Sequence, residues 1–143
     1  MIWRALYTLA LRAALPLILA KLWWRGRREP AYRRHVGERF GDYACGSEQP
    51  VIWLHAVSVG EARAATPLVR ALQSEYAQYR LLITCMTAAG RDTVQQVYGE
   101  AVLVGWLPYD YPGAVRRFLE HFRPRLGVLM ETEIWPNLLA ACR

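Results

Sequence analysis

Two short stretches place acidic side chains directly after an apolar run. Ser58-Val59-Gly60-Glu61 follows Val51–Val57, and Glu131-Thr132-Glu133 follows Leu126–Met130. A carboxylate where an apolar strand ends stands where a substrate can reach it, and there it can take a proton as a general base. Glu61 also suits a helix N-terminus, where the macrodipole favours a negative charge by about 0.3–1 kcal/mol. A first-turn glutamate that only stabilises its helix accounts equally well for the pattern. So do solvated or capping carboxylates at Glu131 and Glu133, ahead of a helix opening at Pro136. From residue types alone both alternatives stand.

Other chemistries lack their residues. No G-x-G-x-x-G follows the first strand and no G-x-x-x-x-G-K-[ST] occurs, so neither a dinucleotide fingerprint nor a P-loop is present. Ser58 lies in S-V-G-E and not in a G-x-S-x-G elbow. His35, His55 and His121 are scattered, and Cys45, Cys85 and Cys142 have no metal-ligand spacing. No metal site and no disulfide framework are expected, and a reducing compartment is the simpler setting.

The acidic loops need a frame. With 143 residues, 54% hydrophobic and 21% charged, the chain can bury a core and is neither disordered nor collagen-like. Strand-type runs at Val51–Val57, Leu81–Met86, Ala101–Leu107 and Leu126–Met130 alternate with helical patterns. Those patterns cover Gly60–Gln78, Arg91–Tyr98 and Tyr111–Phe122, and another begins at Pro136. Such alternation predicts an α/β fold with a Rossmann-like parallel sheet. Ligands then sit outside the carboxyl ends of the strands. The loops there are Ser58–Glu61, Thr87-Ala88-Ala89-Gly90, Pro108-Tyr109-Asp110 and Glu131–Glu133, three of them acidic.

Charge divides the chain. Residues 1–41 hold nine Lys/Arg against Glu29 and Glu38, a net of +7, and the remainder is close to neutral. Residues 2–24 are mostly apolar around Arg4, Arg12 and Lys21, and Trp23-Trp24 is followed by Arg25, Arg27, Arg28, Arg33 and Arg34. The longest uncharged run, Ala13–Ala20, is well short of the ~20 residues of an unbroken span. The segment is predicted to be a membrane-associating helix, bent at Pro16. It either lies in the interface or crosses with its cations snorkelling. The rival readings are a cleaved signal peptide, which lacks a small-x-small site, and an amphipathic helix packed on the domain with solvated arginines. Arginines beside an aromatic pair place the C-terminal side in the cytoplasm and attract anionic lipids, at about 1 kcal/mol per basic residue. Nucleic-acid binding is not expected, since no basic-aromatic pattern continues into the domain.

Longer stretches carry a family resemblance. Leu22–Arg27 (LWWRGR), Tyr32–Gly41 (YRRHVGERFG), Leu54–Glu61 (LHAVSVGE), Leu107–Asp110 (LPYD) and Met130–Asn137 (METEIWPN) run through the whole chain. In this it resembles the N-terminal domain of the bacterial 3-deoxy-D-manno-octulosonic acid (Kdo) transferases. The resemblance implies the N-terminal half of a GT-B glycosyltransferase. It also implies inverting, metal-independent transfer of Kdo from CMP-Kdo to the lipid A precursor in lipopolysaccharide biosynthesis, with no cofactor beyond the donor. Glu61 is then the catalytic base, and Glu131 supports the transition state.

Ser58, Gly60, Thr87, Gly90 and Glu133 are expected at the substrate, with Arg33, Arg34 and Arg39 on the acceptor phosphates. Where the family usually has Thr-Pro-Thr-Gly, this chain has Thr87-Ala88-Ala89-Gly90. Residues 1–28 are expected to be the anchor, at the cytoplasmic face of the bacterial inner membrane. Residues 29–50 are expected to be a basic segment and linker, and 51–143 an acceptor-side domain incomplete at its C-terminal end. The CMP-binding residues would belong to a further domain beyond Arg143, so this stretch alone is expected to be inactive. The rival expectations are a membrane-tethered binding module without catalysis and, less favoured, a nucleotide-dependent oxidoreductase.

Overall fold

The computed structural model describes residues 2–130 and 133–142. Helix α1 (Ile2–Arg28) leads into 3-10 turns at Pro30–Arg33 and Val36–Phe40. The α/β unit follows as β1 (Val51–His55), α2 (Val59–Ala64), α3 (Thr66–Glu75), β2 (Arg80–Cys85), α4 (Ala88–Tyr98), β3 (Leu103–Trp106), α5 (Pro112–Phe122), β4 (Pro124–Leu129) and α6 (Pro136–Ala141). Among the described residues the strands form one parallel sheet in the order β3-β2-β1-β4.

Strand β1 is buried throughout, as a central parallel strand covered on both faces must be. Ile52 and Leu54 point to one side, where Ala62, Val69, Leu72 and Val94 of α2, α3 and α4 close the core. Val51 and Trp53 point to the other, against Val115, Phe118 and Phe122 of α5 and Leu138 of α6. The sheet is doubly wound, as its alternating pattern predicted, and is consistent with the N-terminal half of a GT-B enzyme.

Two departures from the expected helices have a local reason. The run expected over 60–78 divides at Ala65, because Pro67 lacks the N–H that would continue the ladder and restricts Thr66 before it. Helix α4 starts at Ala88, before the expected Arg91, because the Thr87 hydroxyl caps it by accepting the Gly90 N–H at 3.1 Å.

Helix α1 is continuous through Pro16. Its half-buried residues Tyr7, Thr8, Leu11, Ala14, Leu15 and Ile18, with buried Leu22 and Gly26, form one stripe of helical period. The stripe meets the domain at both ends. Thr8 exchanges hydrogen bonds with Asn137, and the Tyr111 hydroxyl donates to the Leu11 carbonyl at 2.8 Å. Tyr7 lies against Asp110, and burial together with that carboxylate pushes its phenol up to about 12. Further along, Leu22 packs with Tyr32 and Trp106.

Part of the segment between α1 and β1 packs on the domain, while residues 46–50 are exposed as a linker would be. Tyr32, Glu38, Arg39 and Tyr43 are buried, and the Tyr43 hydroxyl donates to the Trp106 carbonyl at 2.8 Å. The three cysteines are free thiols.

Candidate active site

The site is built where β1 ends. After His55 the chain leaves the sheet through Ala56 and Val57, and Ser58 precedes α2 in extended conformation. Glu61, in the first turn of α2, folds back over this corner. Its Oε2 accepts the Val57 N–H at 2.6 Å, and its Oε1 accepts the Ser58 hydroxyl at 2.7 Å. The carboxylate thus reaches back past the N-cap Ser58 to the Val57 N–H and fixes the turn into α2, without the reciprocal bonds of a capping box. Each carboxylate oxygen keeps a second lone pair, and the group is only half-buried. Among the described residues no cationic side chain pairs with it. An orientated, accessible carboxylate without a counter-cation is suited to accepting a proton.

Thr87 and Gly90 support this corner from α4. The Thr87 hydroxyl donates to the Val57 carbonyl at 3.0 Å while accepting from Gly90. A Cβ at Gly90 would come within 2.8 Å of Thr87 Oγ1 and 3.0 Å of the Val57 carbonyl oxygen. The close approach of α4 to the Glu61 loop therefore requires a glycine. Gly60 differs: it is exposed, and among the described residues a Cβ there would meet only Ser58 Oγ, at 3.9 Å, so no contact among them requires its lack of a side chain.

Beside this corner the chain beyond β4 returns to β1. His55, 1% exposed, has Nδ1 2.9 Å from both the carbonyl and the hydroxyl of Thr84. Its Nε2 lies 3.3 Å from Glu133 Oε2, which also accepts the Trp135 indole N–H at 3.1 Å. Burial holds the imidazole below its ordinary pKa, against the opposing pull of Glu133. Glu131 lies outside the described residues.

The third acidic loop is not part of the rim. Asp110 is buried, and its carboxylate accepts the N–H groups of Asn137 at 2.9 Å and Leu138 at 2.8 Å, capping α6. Desolvation raises its pKa, and the hydrogen bonds from Asn137 and Leu138 oppose the rise.

Arg33 and Arg34 are exposed on the 3-10 segment after α1. The Arg34 carbonyl accepts the Trp106 indole N–H at 3.0 Å, so they sit by the end of β3, across α4 from Glu61. Arg39 is not a surface cation. It is buried with its guanidinium 4.0 Å over the Trp106 ring, which corrects its expected place on a phosphate. Nor do these arginines pair with Glu38, whose partner is Arg91 at 2.6 Å. Among the described residues no group of three His, Cys, Asp or Glu side chains could hold a metal ion.

Residues 34–143 match the family model described as 3-Deoxy-D-manno-octulosonic-acid transferase (kdotransferase). The chain belongs to this Kdo transferase family. Among curated relatives, the 3-deoxy-D-manno-octulosonic acid transferase of Bordetella pertussis is 46% identical over 98% of this chain and 34% of its own length. That of Haemophilus influenzae is 41% identical over 96% of this chain and 33% of its own. A probable mitochondrial 3-deoxy-D-manno-octulosonic acid transferase of Arabidopsis thaliana is 35% identical over 88% and 28% respectively. The chain thus spans about a third of the length of the first two relatives. In this Kdo transferase family chain, the half-buried Glu61 and exposed Gly60 stand at the carboxyl end of β1.

Sequence reasoning passed over His55, Thr84 and Trp135. The signal available was that His55 ends a wholly apolar run, where a polar ring has to find partners.

Proposed function

We propose that the protein to which this chain contributes its N-terminal part is a glycosyltransferase of lipopolysaccharide biosynthesis. It would move Kdo from CMP-Kdo to a sugar hydroxyl of the lipid A precursor, with inversion and without a metal. The observation that carries this reading is the Glu61 carboxylate, fixed by neutral donors only and half-open at the carboxyl edge of the sheet. The acceptor oxygen attacks the anomeric carbon of Kdo as its bond to the CMP phosphate breaks. The hydroxyl proton passes to Glu61, and CMP leaves with the electron pair of the broken bond. An alcohol is a poor nucleophile at neutral pH, and such assistance is typically worth ~10²–10⁴-fold.

Glu131 is assigned to the transition state, as the resemblance implies. Gly60 leaves room for the substrate, Ser58 and Thr87 hold the base loop, and Arg33 and Arg34 reach toward acceptor phosphates as bidentate donors. CMP-Kdo is assigned mainly to a further domain.

Helix α1 is proposed to lie along the cytoplasmic face of the inner membrane. In favour of lying over crossing, its stripe from Tyr7 to Gly26 is turned to the domain, while Ile2, Trp3, Leu6, Leu9 and Leu17 are exposed beside Arg4 and Arg12. That exposed mixture of apolar and cationic groups suits an interface with anionic lipid.

The test gives the full-length protein labelled CMP-Kdo and the tetraacylated lipid A precursor in mixed micelles. The expected result is a Kdo-bearing lipid with inverted anomeric configuration and release of CMP. Binding of the lipid with no transfer would favour a tethered binding module instead. Replacing Trp3, Leu6 and Leu9 by Ser should release the protein from anionic vesicles with the fold retained, and undiminished sedimentation would refute the anchor.

A further inference from the structure

The histidine beneath the proposed base has no part in the chemistry above, yet its surroundings are unusually complete. Trp53 Nε1–H donates to Thr84 Oγ1 at 2.8 Å, which leaves the Thr84 hydroxyl its own proton to give. The nearest side-chain acceptor for that proton is His55 Nδ1, at 2.9 Å. On the far side of the ring, Nε2 faces Glu133 Oε2 at 3.3 Å. An ionised carboxylate only accepts, so Nε2 must carry a proton for this contact to be favourable. A proton on Nε2 suits Glu133 and the Thr84 hydroxyl, and a proton on Nδ1 suits the Thr84 carbonyl, so the ring is held in either form. The contacts run from Trp53 to Thr84, to His55, to Glu133, with Trp135 donating to the same carboxylate.

We propose that His55 is a positioning residue for the transfer reaction: buried near Glu61 at the end of β1, it clamps Glu133 and so fixes the chain beyond β4 against the strand that leads to the base. This rests on the proposed role of Glu61. Glu133 stands two residues beyond Glu131 in sequence, and His55 stands six before Glu61. One imidazole thereby joins the chain beyond β4 to the end of β1 through a buried side chain that never meets substrate. Reacting groups misplaced by about 1 Å can cost ~10²-fold in rate, so the clamp acts on kcat. The charged groups facing the ring are Glu133, from beyond β4, and Glu61, from α2. Both are acids, and the Thr84 carbonyl, 2.9 Å from Nδ1, is a further acceptor for a ring proton.

The test uses full-length enzyme with CMP-Kdo and the lipid acceptor, comparing His55→Phe, His55→Gln, Glu133→Leu, Glu133→Gln and the His55→Phe/Glu133→Leu double variant. His55→Phe and Glu133→Leu should each lower kcat by ~10²-fold while KM for CMP-Kdo stays within about twofold. The double variant should be no worse than either single one, because both break the same contact. His55→Gln, whose amide N–H can reach Glu133, should recover most of the rate. Glu133→Gln, which can still accept from Nε2–H, should lose less than Glu133→Leu.

A His55→Phe enzyme within about threefold of wild type, or losses that add in the double variant, would overturn the proposal. Should His55→Phe not fold, the contrast of Leu and Gln at the half-exposed position 133 decides alone, and equal losses there would overturn it. Glu61→Gln assayed alongside keeps the two ideas apart. An active Glu61→Gln refutes the base itself, whereas an inactive Glu61→Gln with an active His55→Phe refutes only the clamp.

Discussion

Glu38 and Glu61 are used alike by the backbone and differently by everything else. Each folds over the carboxyl end of a strand and accepts a backbone N–H there. Trp106 N–H reaches Glu38 Oε2 at 2.9 Å, and Val57 N–H reaches Glu61 Oε2 at 2.6 Å. Glu38 is 5% exposed and gripped by Arg91 at 2.6 Å and 3.3 Å, with Trp106 stacked between Tyr32 and the guanidinium of Arg39 nearby. Glu61 is half-open and held only by neutral donors. A carboxylate neutralised in the interior fixes the covering segment and has nothing left to give. A carboxylate orientated by neutral bonds at the surface keeps lone pairs that an incoming hydroxyl can reach. The same strand-end geometry thus serves structure by β3 and, on our proposal, chemistry by β1.

The comparison can be broken from either side. Removing the buried partner should have the largest effect on folding. Glu38→Leu strands Arg91 and the Trp106 N–H, and breaking such a pair typically costs ~3–5 kcal/mol. Thermal unfolding of the full-length protein should show the corresponding fall, and an unchanged midpoint would remove the contrast.

Gly90→Ala comes next. The added Cβ collides with the Thr87 hydroxyl and the Val57 carbonyl. Overpacking of this kind costs about 1–3 kcal/mol, and here it should also push the base loop outward and lower kcat. Unaltered stability and turnover in the alanine variant would show that the corner tolerates displacement.

The smallest effect is a pH dependence. Burial lowers the pKa of His55 in the folded state. The unfolded chain then binds more protons between the folded pKa and the ordinary histidine value of about 6.5. The stability involved is fully present above pH ~6.5 and is lost as pH falls through and below it. Wild type should therefore lose more stability than His55→Gln between pH 7.5 and 5, in unfolding experiments on the full-length protein. A parallel pair of profiles would place His55 in a wetter environment than its 1% exposure implies.

What the sequence made legible was whatever depends on neighbours in the chain. The alternation of β-branched runs and helical periods is local, and so is the placing of Glu61 in a first turn after β1. Pro67 is also local, and its break in the helical run could have been read. The harder features join residues far apart in sequence. Glu38 lies 53 residues from Arg91 and 68 from Trp106, and His55 lies 78 from Glu133. No periodicity encodes such pairings, so Glu38 counted only as one of two acids in a basic segment and His55 as one of three scattered histidines. The stretch from 29 to 50 looked basic and loose for the same reason. Its buried residues find their partners on β3 and α4, which the sequence alone does not bring together. Asp110 looked like a third acid at the rim because its position after β3 was legible while its direction was not.

The most direct test of the central contrast measures Glu61→Gln and Glu38→Gln together in the full-length protein. Single-turnover transfer from CMP-Kdo reports the chemistry, and thermal unfolding reports the fold. Glu61→Gln should lose ~10²–10⁴-fold in rate, with a stability cost near 1 kcal/mol from the weakened helix terminus. Glu38→Gln should show the reverse: a clearly lowered melting temperature, and a rate close to wild type at temperatures where it remains folded. A Glu61→Gln enzyme keeping more than about a tenth of the wild-type rate, where ~10²-fold loss is expected of a general base, would contradict the account.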